Sequence, residues 1–128
     1  MDIRPGLTSK ATLVVAEADT ALSMGSGDVP VLSTPRIVAL AEQAACAAVS
    51  GVIDPATTTV GSKIQLTHLT PSPVGDEVTA EAVLEFVEGR KLIFRVTVSD
   101  ARGLVAAGRI HRVVVVRERF LERAAGKF

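Results

Sequence analysis

The spacing of apolar residues changes character partway along this chain. Residues 31–53, VLSTPRIVALAEQAACAAVSGVI, are mostly alanine and other apolar side chains and predict one long helix. Thr34 fits the N-cap, and Pro35 fits the first helical position, where its missing N–H costs nothing. Ser50-Gly51 marks the end. Beyond it the period shortens to two, and strands are expected over 57–71, 76–89, 90–100 and 104–116. The second of these alternates cleanly, with Val78, Ala80, Ala82, Leu84 and Phe86 on one face and Glu81 and Glu85 on the more solvated one. VEGRK and SDARG are turn signals, so the last three strands form an antiparallel meander, and PSPVGDE is a further break. Ahead of the helix, KATLVVAEAD (10–19) begins as a strand and TALSMGSGDVPVLS (20–33) has the turn chemistry of a loop.

The predicted order is strand, loop, long helix, four strands. An antiparallel sheet must bury one face, and an apolar helix needs covering over most of its circumference. Wrapping the sheet around the helix satisfies both, which is the α+β hotdog fold. The 128 residues show no repeat and no composition break, so they are expected to form a single domain with its own core. The C-terminal RERFLERAAGKF reads either as a short helix packing on a neighbour or as a frayed tail.

Composition narrows the function by exclusion. Basic and acidic residues are equal in number, so no strong field points to nucleic acid or an anionic membrane. Cys46 is the single cysteine, which removes a disulfide framework and a thiolate metal cluster and suits a reducing cytosol. The N-terminus has no apolar signal region, and no run is long enough to span a bilayer, so a cytoplasmic protein is expected. Two histidines without matching acidic or thiol ligands make no metal site. The Gly25-Ser26-Gly27 triplet lacks the strand-before, helix-after context of a phosphate loop, and there is no G-x-S-x-G elbow.

Glu42 stands out. Its helical neighbours Val38, Ala39, Ala45, Cys46 and Val49 are all apolar and none is a cation. Glutamate on a helix usually reaches water, but burial of a carboxylate raises its pKa, which is how an enzyme prepares a general base. Strand parity puts His68 on the face of Ile64 and Leu66, where a histidine is more often a satisfied core residue than a catalyst. Its imidazole can nonetheless exchange protons near neutrality. Thr34 is explained by capping alone, although a helix N-terminus can also hold an oxyanion. Gly61 marks a bulge or an exposed backbone N–H, and His111 and Arg112 read most simply as surface side chains. Thr34 and Glu42 lie about 12 Å apart along a helix, so either a substrate lies between them or two subunits share the site.

With these residues in view, the chain resembles the hotdog-fold thioesterases, specifically their fluoroacetyl-CoA thioesterase-like branch. The resemblance runs from ATLVV to the VVVV strand. It rests on TPRIVALAE and on VGSKIQLTHLTPSPVGDEVTAEAVL, where a glycine, a histidine, a Pro-x-Gly segment and an acidic alternating strand follow in order. It implies a catalytic threonine, glutamate and histidine at Thr34, Glu42 and His68. It further implies a backbone N–H at Gly61 near the thioester carbonyl, and Arg112 as the last-strand arginine that meets substrate. The family's fluoroacetyl-selective member carries phenylalanines in an insertion before the helix. TALSMGSGDVPVLS has no aromatic residue, so a different acyl group, short or medium, is expected.

Two functions follow. The first is hydrolysis of an acyl-CoA to a free acid and CoA, with no metal and no cofactor beyond the CoA of the substrate. The second is a non-catalytic module binding acyl-CoA or a related small ligand. An exposed sheet edge and helix face predict a homodimer in either case.

Overall fold

The structure is a computed structural model describing residues 1–126; Lys127 and Phe128, the end of the C-terminal segment, lie outside the described residues. The elements in chain order are β1 (Thr8–Val14), a 3-10 turn (Glu17–Asp19), α1 (Ala21–Met24), α2 (Thr34–Val49), β2 (Thr57–His68), β3 (Glu77–Glu88), β4 (Lys91–Asp100), β5 (Gly103–Val116) and α3 (Arg117–Ala124). The five strands make one antiparallel sheet in the order β1-β3-β4-β5-β2, curled around α2 as expected of a hotdog fold. No helix among the described residues is long and apolar enough to cross a membrane.

Small side chains let the helix sit close to the sheet. Ile37, Leu40, Ala41, Ala44, Ala45, Ala48 and Val49 form its buried face. They meet Val78, Ala80, Ala82 and Leu84 of β3 and the alternate residues Leu92, Phe94, Val96 and Val98 of β4. The sheet does not cover the whole helix: Thr34, Pro35, Ala39, Gln43 and Ala47 stay exposed. The strand β2, last in the sheet, is exposed from Gly61 to Gln65.

The structure corrects several local expectations. The first strand is shorter and earlier than expected, and 20–33 contains the helical turn α1, capped by Thr20, whose Oγ1 accepts from the Ser23 N–H at 3.2 Å. The N-cap of α2 is Ser33, whose Oγ accepts from the Arg36 N–H at 3.1 Å; Thr34 is already inside the first turn. Phe86 does not share the face of Leu84. The register shifts between these two residues, so Glu85 is extra, parity inverts, and Phe86 is exposed while Val87 packs on the core. Glu85 and Glu81 do face solvent, pairing with Arg109 at 2.9 Å and Lys10 at 3.8 Å.

Two details tie the sheet together. Gly108 of β5 faces Leu66 of β2, and a Cβ there would collide with the Gln65 carbonyl. At the β4–β5 turn, Asp100 Oδ1 accepts from the backbone N–H of Arg102 (2.8 Å) and Gly103 (3.1 Å), and Arg102 Nη2 bridges Asp100 and Asp76. The Arg102 backbone hydrogen bond, then its guanidinium, hold the Asp100 carboxyl below its usual 3.8.

Gly108→Ala is expected to cost about 1–3 kcal/mol in denaturant unfolding, because the clash is with backbone and no rotamer relieves it. Asp100→Asn removes a charge whose folded pKa is depressed. Its stabilisation is therefore present above 3.8 and lost as pH falls through the folded value. The melting-temperature gap between wild type and Asp100→Asn should be open at pH 7 and close below pH 3.8.

Candidate active site

Because Ser33 takes the capping role, the Thr34 hydroxyl is free for another partner. It lies 2.8 Å from His68 Nδ1. The other ring nitrogen, Nε2, sits 3.1 Å from the Thr70 carbonyl oxygen, which can only accept. Nε2 therefore carries the proton, and in the neutral ring Nδ1 accepts from the Thr34 hydroxyl. A hydroxyl facing a base that is itself oriented by a third group is the arrangement used to activate a nucleophile or a water.

Glu42 occupies the boundary between the buried and open faces of α2, with its side chain 33% exposed. None of its helical neighbours is a cation, but the sheet supplies one. Arg112 Nη1 donates to Glu42 Oε2 at 2.8 Å, from a side chain only 8% exposed. The surface reading of Arg112 fails for a reason of parity, since Ile110, Arg112 and Val114 of β5 all turn toward the helix and are buried. The guanidinium is held on its remaining sides by Thr59 of β2, with Nε on Oγ1 at 2.9 Å and Nη2 on the carbonyl at 2.8 Å. Thr59 is a site residue that no motif announced; only its pairing with β5 places it there.

Gly61 completes this group. A Cβ on Gly61 would overlap Glu42 Oε2, so the glycine is the space in which the carboxylate rests. Gly61 and His68 are separated by an odd number of residues and would point to opposite faces of a regular strand. A bulge between Gly61 and Lys63 shifts the register, and both end up toward α2.

The expected residues thus gather as two half-sites. Thr34 and His68 meet at the start of α2, and Glu42, Gly61, Thr59 and Arg112 meet two turns further along. The separation is about 12 Å along the helix and roughly 23 Å along β2.

This sheet and helix match a known class. Residues 15–118 fit the family model for the fluoroacetyl-CoA-specific thioesterase FlK. The chain is 34% identical over 90 residues to the fluoroacetyl-CoA thioesterase of Streptantibioticus cattleyicolor, an alignment covering 70% of this chain and 65% of that protein, just under two thirds of its length. A solved structure of the fluoroacetyl-CoA thioesterase FlK superposes with a TM-score of 0.92 at 28% identity, covering 100% of this chain and 99% of that one. The F-to-A variant of that enzyme has also been solved with fluoroacetate and CoA. A hot-dog-like protein from Thermanaerovibrio acidaminovorans shares the fold, with a TM-score of 0.90 at 24% identity over 100% of this chain and 98% of that one. The chain belongs to the fluoroacetyl-CoA-specific thioesterase family.

Replacing Arg112 by Met strands the Glu42 carboxylate and the Thr59 carbonyl. A loss of about 1–3 kcal/mol is expected, below the value for a fully buried pair because Glu42 is partly solvated. In a double-mutant cycle by urea denaturation, Glu42→Gln with Arg112→Met should cost clearly less than the two single changes summed.

Proposed function

We propose that this protein is a cytoplasmic acyl-CoA thioesterase that works as a homodimer, each active site being built from both subunits. The observation that carries the reading is the combination of a threonine hydroxyl hydrogen-bonded to a histidine with a carboxylate held by a buried arginine. Both lie on one face of the same strand and helix, yet too far apart to act on one carbon within a chain.

A two-fold axis removes the gap. The open edge of β2 can pair antiparallel with the same edge of a second copy. If the axis falls between Ile64 and Gln65, Gly61 comes opposite His68 of the partner subunit. The same axis passes near Val38, midway between Thr34 and Glu42, and directs Thr34 toward Glu42 of the partner subunit. The exposed strip of α2 is covered in the process.

In such a site the Glu42 carboxylate takes a proton from water, and the hydroxide adds to the thioester carbonyl. The oxyanion is met by the Gly61 N–H, a kind of contact worth about 3 kcal/mol in the barrier. Collapse breaks the C–S bond, and the proton held by Glu42 or passed through His68 goes to the departing CoA thiolate. Thr34 positions the acyl carbonyl between them. Arg112 acts through Glu42, fixing which oxygen faces the water, and is a positioning residue. Direct attack by Glu42, through an anhydride, uses the same geometry.

Residues 20–33, which precede α2, offer no aromatic side chain to cover the acyl end. Met24 of α1 lies beside the start of α2, its Sδ 2.8 Å from Ser33 Oγ. A flexible thioether there suits a short or medium acyl chain.

Glu42→Gln and His68→Ala should each lower release of free thiol from a short acyl-CoA by 10²- to 10⁴-fold. Mixed, unfolded and refolded together, the two inactive variants should recover about a quarter of wild-type activity, since heterodimers regain one intact site. Absence of recovery would show that the site lies within one chain. Binding of acyl-CoA by wild type with no thiol release would make the protein a binding module instead.

A further inference from the structure

A pocket of about 340 Å³ lies where β5 ends and α3 begins, lined by Arg90, Val115, Val116, Arg119, Phe120 and Arg123. Its charge is unusual for this chain. Arg4, Arg36, Arg95, Arg102, Arg109 and Arg112 each lie within ion-pair distance of a carboxylate. Among the described residues, the arginines without such a partner are Arg90, Arg117, Arg119 and Arg123, three of which line the pocket.

The sequence of α3 makes the clustering more pointed. In RERFLERA, Arg119 and Arg123 stand at i, i+4, as do Glu118 and Glu122. Like charges at this spacing repel, and Glu122, three residues on from Arg119, offsets this for one of the two arginines only. The pattern is explained if the two guanidinium groups serve an anion in common. Arginine is suited to that role through its planar fork, which grips phosphate oxygens pairwise. Phe120 and the two valines add an apolar wall on which a flat ring can lie.

The pocket is also at the right distance from the reaction. Val116 is four residues beyond Arg112 on β5, a span of about 13 Å. The pantetheine arm of CoA, a chain with two amides about as long as four or five residues, reaches roughly 15 Å from sulfur to the first phosphorus. We infer that this pocket holds the phosphorylated adenosine end of the CoA thioester, with Arg90, Arg119 and Arg123 on phosphate and Phe120 against the base. The assignment of CoA as the ligand rests on the thioesterase reading above.

The test compares an acyl-CoA with the matching acyl-pantetheine, which lacks the nucleotide and its phosphates. Wild type should show a much lower KM for the acyl-CoA, and added salt should narrow the difference. In Arg119→Ala/Arg123→Ala the KM for acyl-CoA should rise on the order of tenfold or more, with kcat retained, and its advantage over acyl-pantetheine should shrink to match. Arg119→Lys/Arg123→Lys should restore part of it. Calorimetry with adenosine 3′,5′-bisphosphate gives a readout that needs no turnover: binding to wild type, lost in the alanine pair and not reproduced by inorganic phosphate alone. If the bisphosphate does not bind wild type, or the alanine pair leaves the KM ratio unmoved, the inference is wrong even though thioesters are hydrolysed. If the bisphosphate binds but no acyl-CoA is hydrolysed, the pocket assignment stands and the thioesterase reading falls.

Discussion

The ion pair between Arg112 and Glu42 is the constraint around which this molecule is arranged. An arginine on the inner face of a curled sheet is costly unless every polar atom is answered. Here Thr59 supplies a hydroxyl and a carbonyl from the neighbouring strand, and Glu42 supplies the countercharge from the helix. One guanidinium therefore ties β2, β5 and α2 together. It acts in the same sense as the buried apolar face of the helix, turning Glu42 toward Gly61 of β2 and away from the solvent strip beside it. The glycine at 61 follows from the same demand, because any side chain there would displace the carboxylate.

The carboxylate that results differs from a desolvated acid waiting in an apolar pocket. It is anchored through one oxygen to a guanidinium and partly open to water. The ion pair fixes where that carboxylate points, which is a matter of positioning. The Thr34 and His68 pair is organised on the same principle. A backbone carbonyl fixes the ring, the ring fixes the hydroxyl, and the neighbouring Ser33 relieves Thr34 of capping. In each half-site one polar side chain is held by a second, which a neighbouring carbonyl fixes in turn.

Much of this was legible in the residues. Period-two alternation located four strands, and the alanine-rich stretch with Pro35 located the helix to within a residue. Glu42 stands out by its apolar helical neighbours, whereas Thr34, Gly61 and His68 each have a sufficient structural explanation and join it as a candidate site only through the family resemblance. Phe86 was misplaced because a single inserted residue inverts parity, and nothing in VLEFVE distinguishes a bulged strand from a regular one. Thr34 was misread because Ser33 and Thr34 are equally good caps, and only the backbone geometry decides between them.

By itself the sequence determined the class of fold and the inventory of chemistry, since both follow from local periodicity and residue type. Tertiary structure alone decided which groups meet. The partner of Glu42 comes from seventy positions away in the chain, and the partner of Thr34 from thirty-four. Such contacts depend on strand register and on the bulge in β2, and register is a property of how strands pair, which no single segment encodes. The alternation Ile110, Arg112, Val114 did hold a hint that Arg112 turns inward. It could be read only once a carboxylate was known to lie opposite.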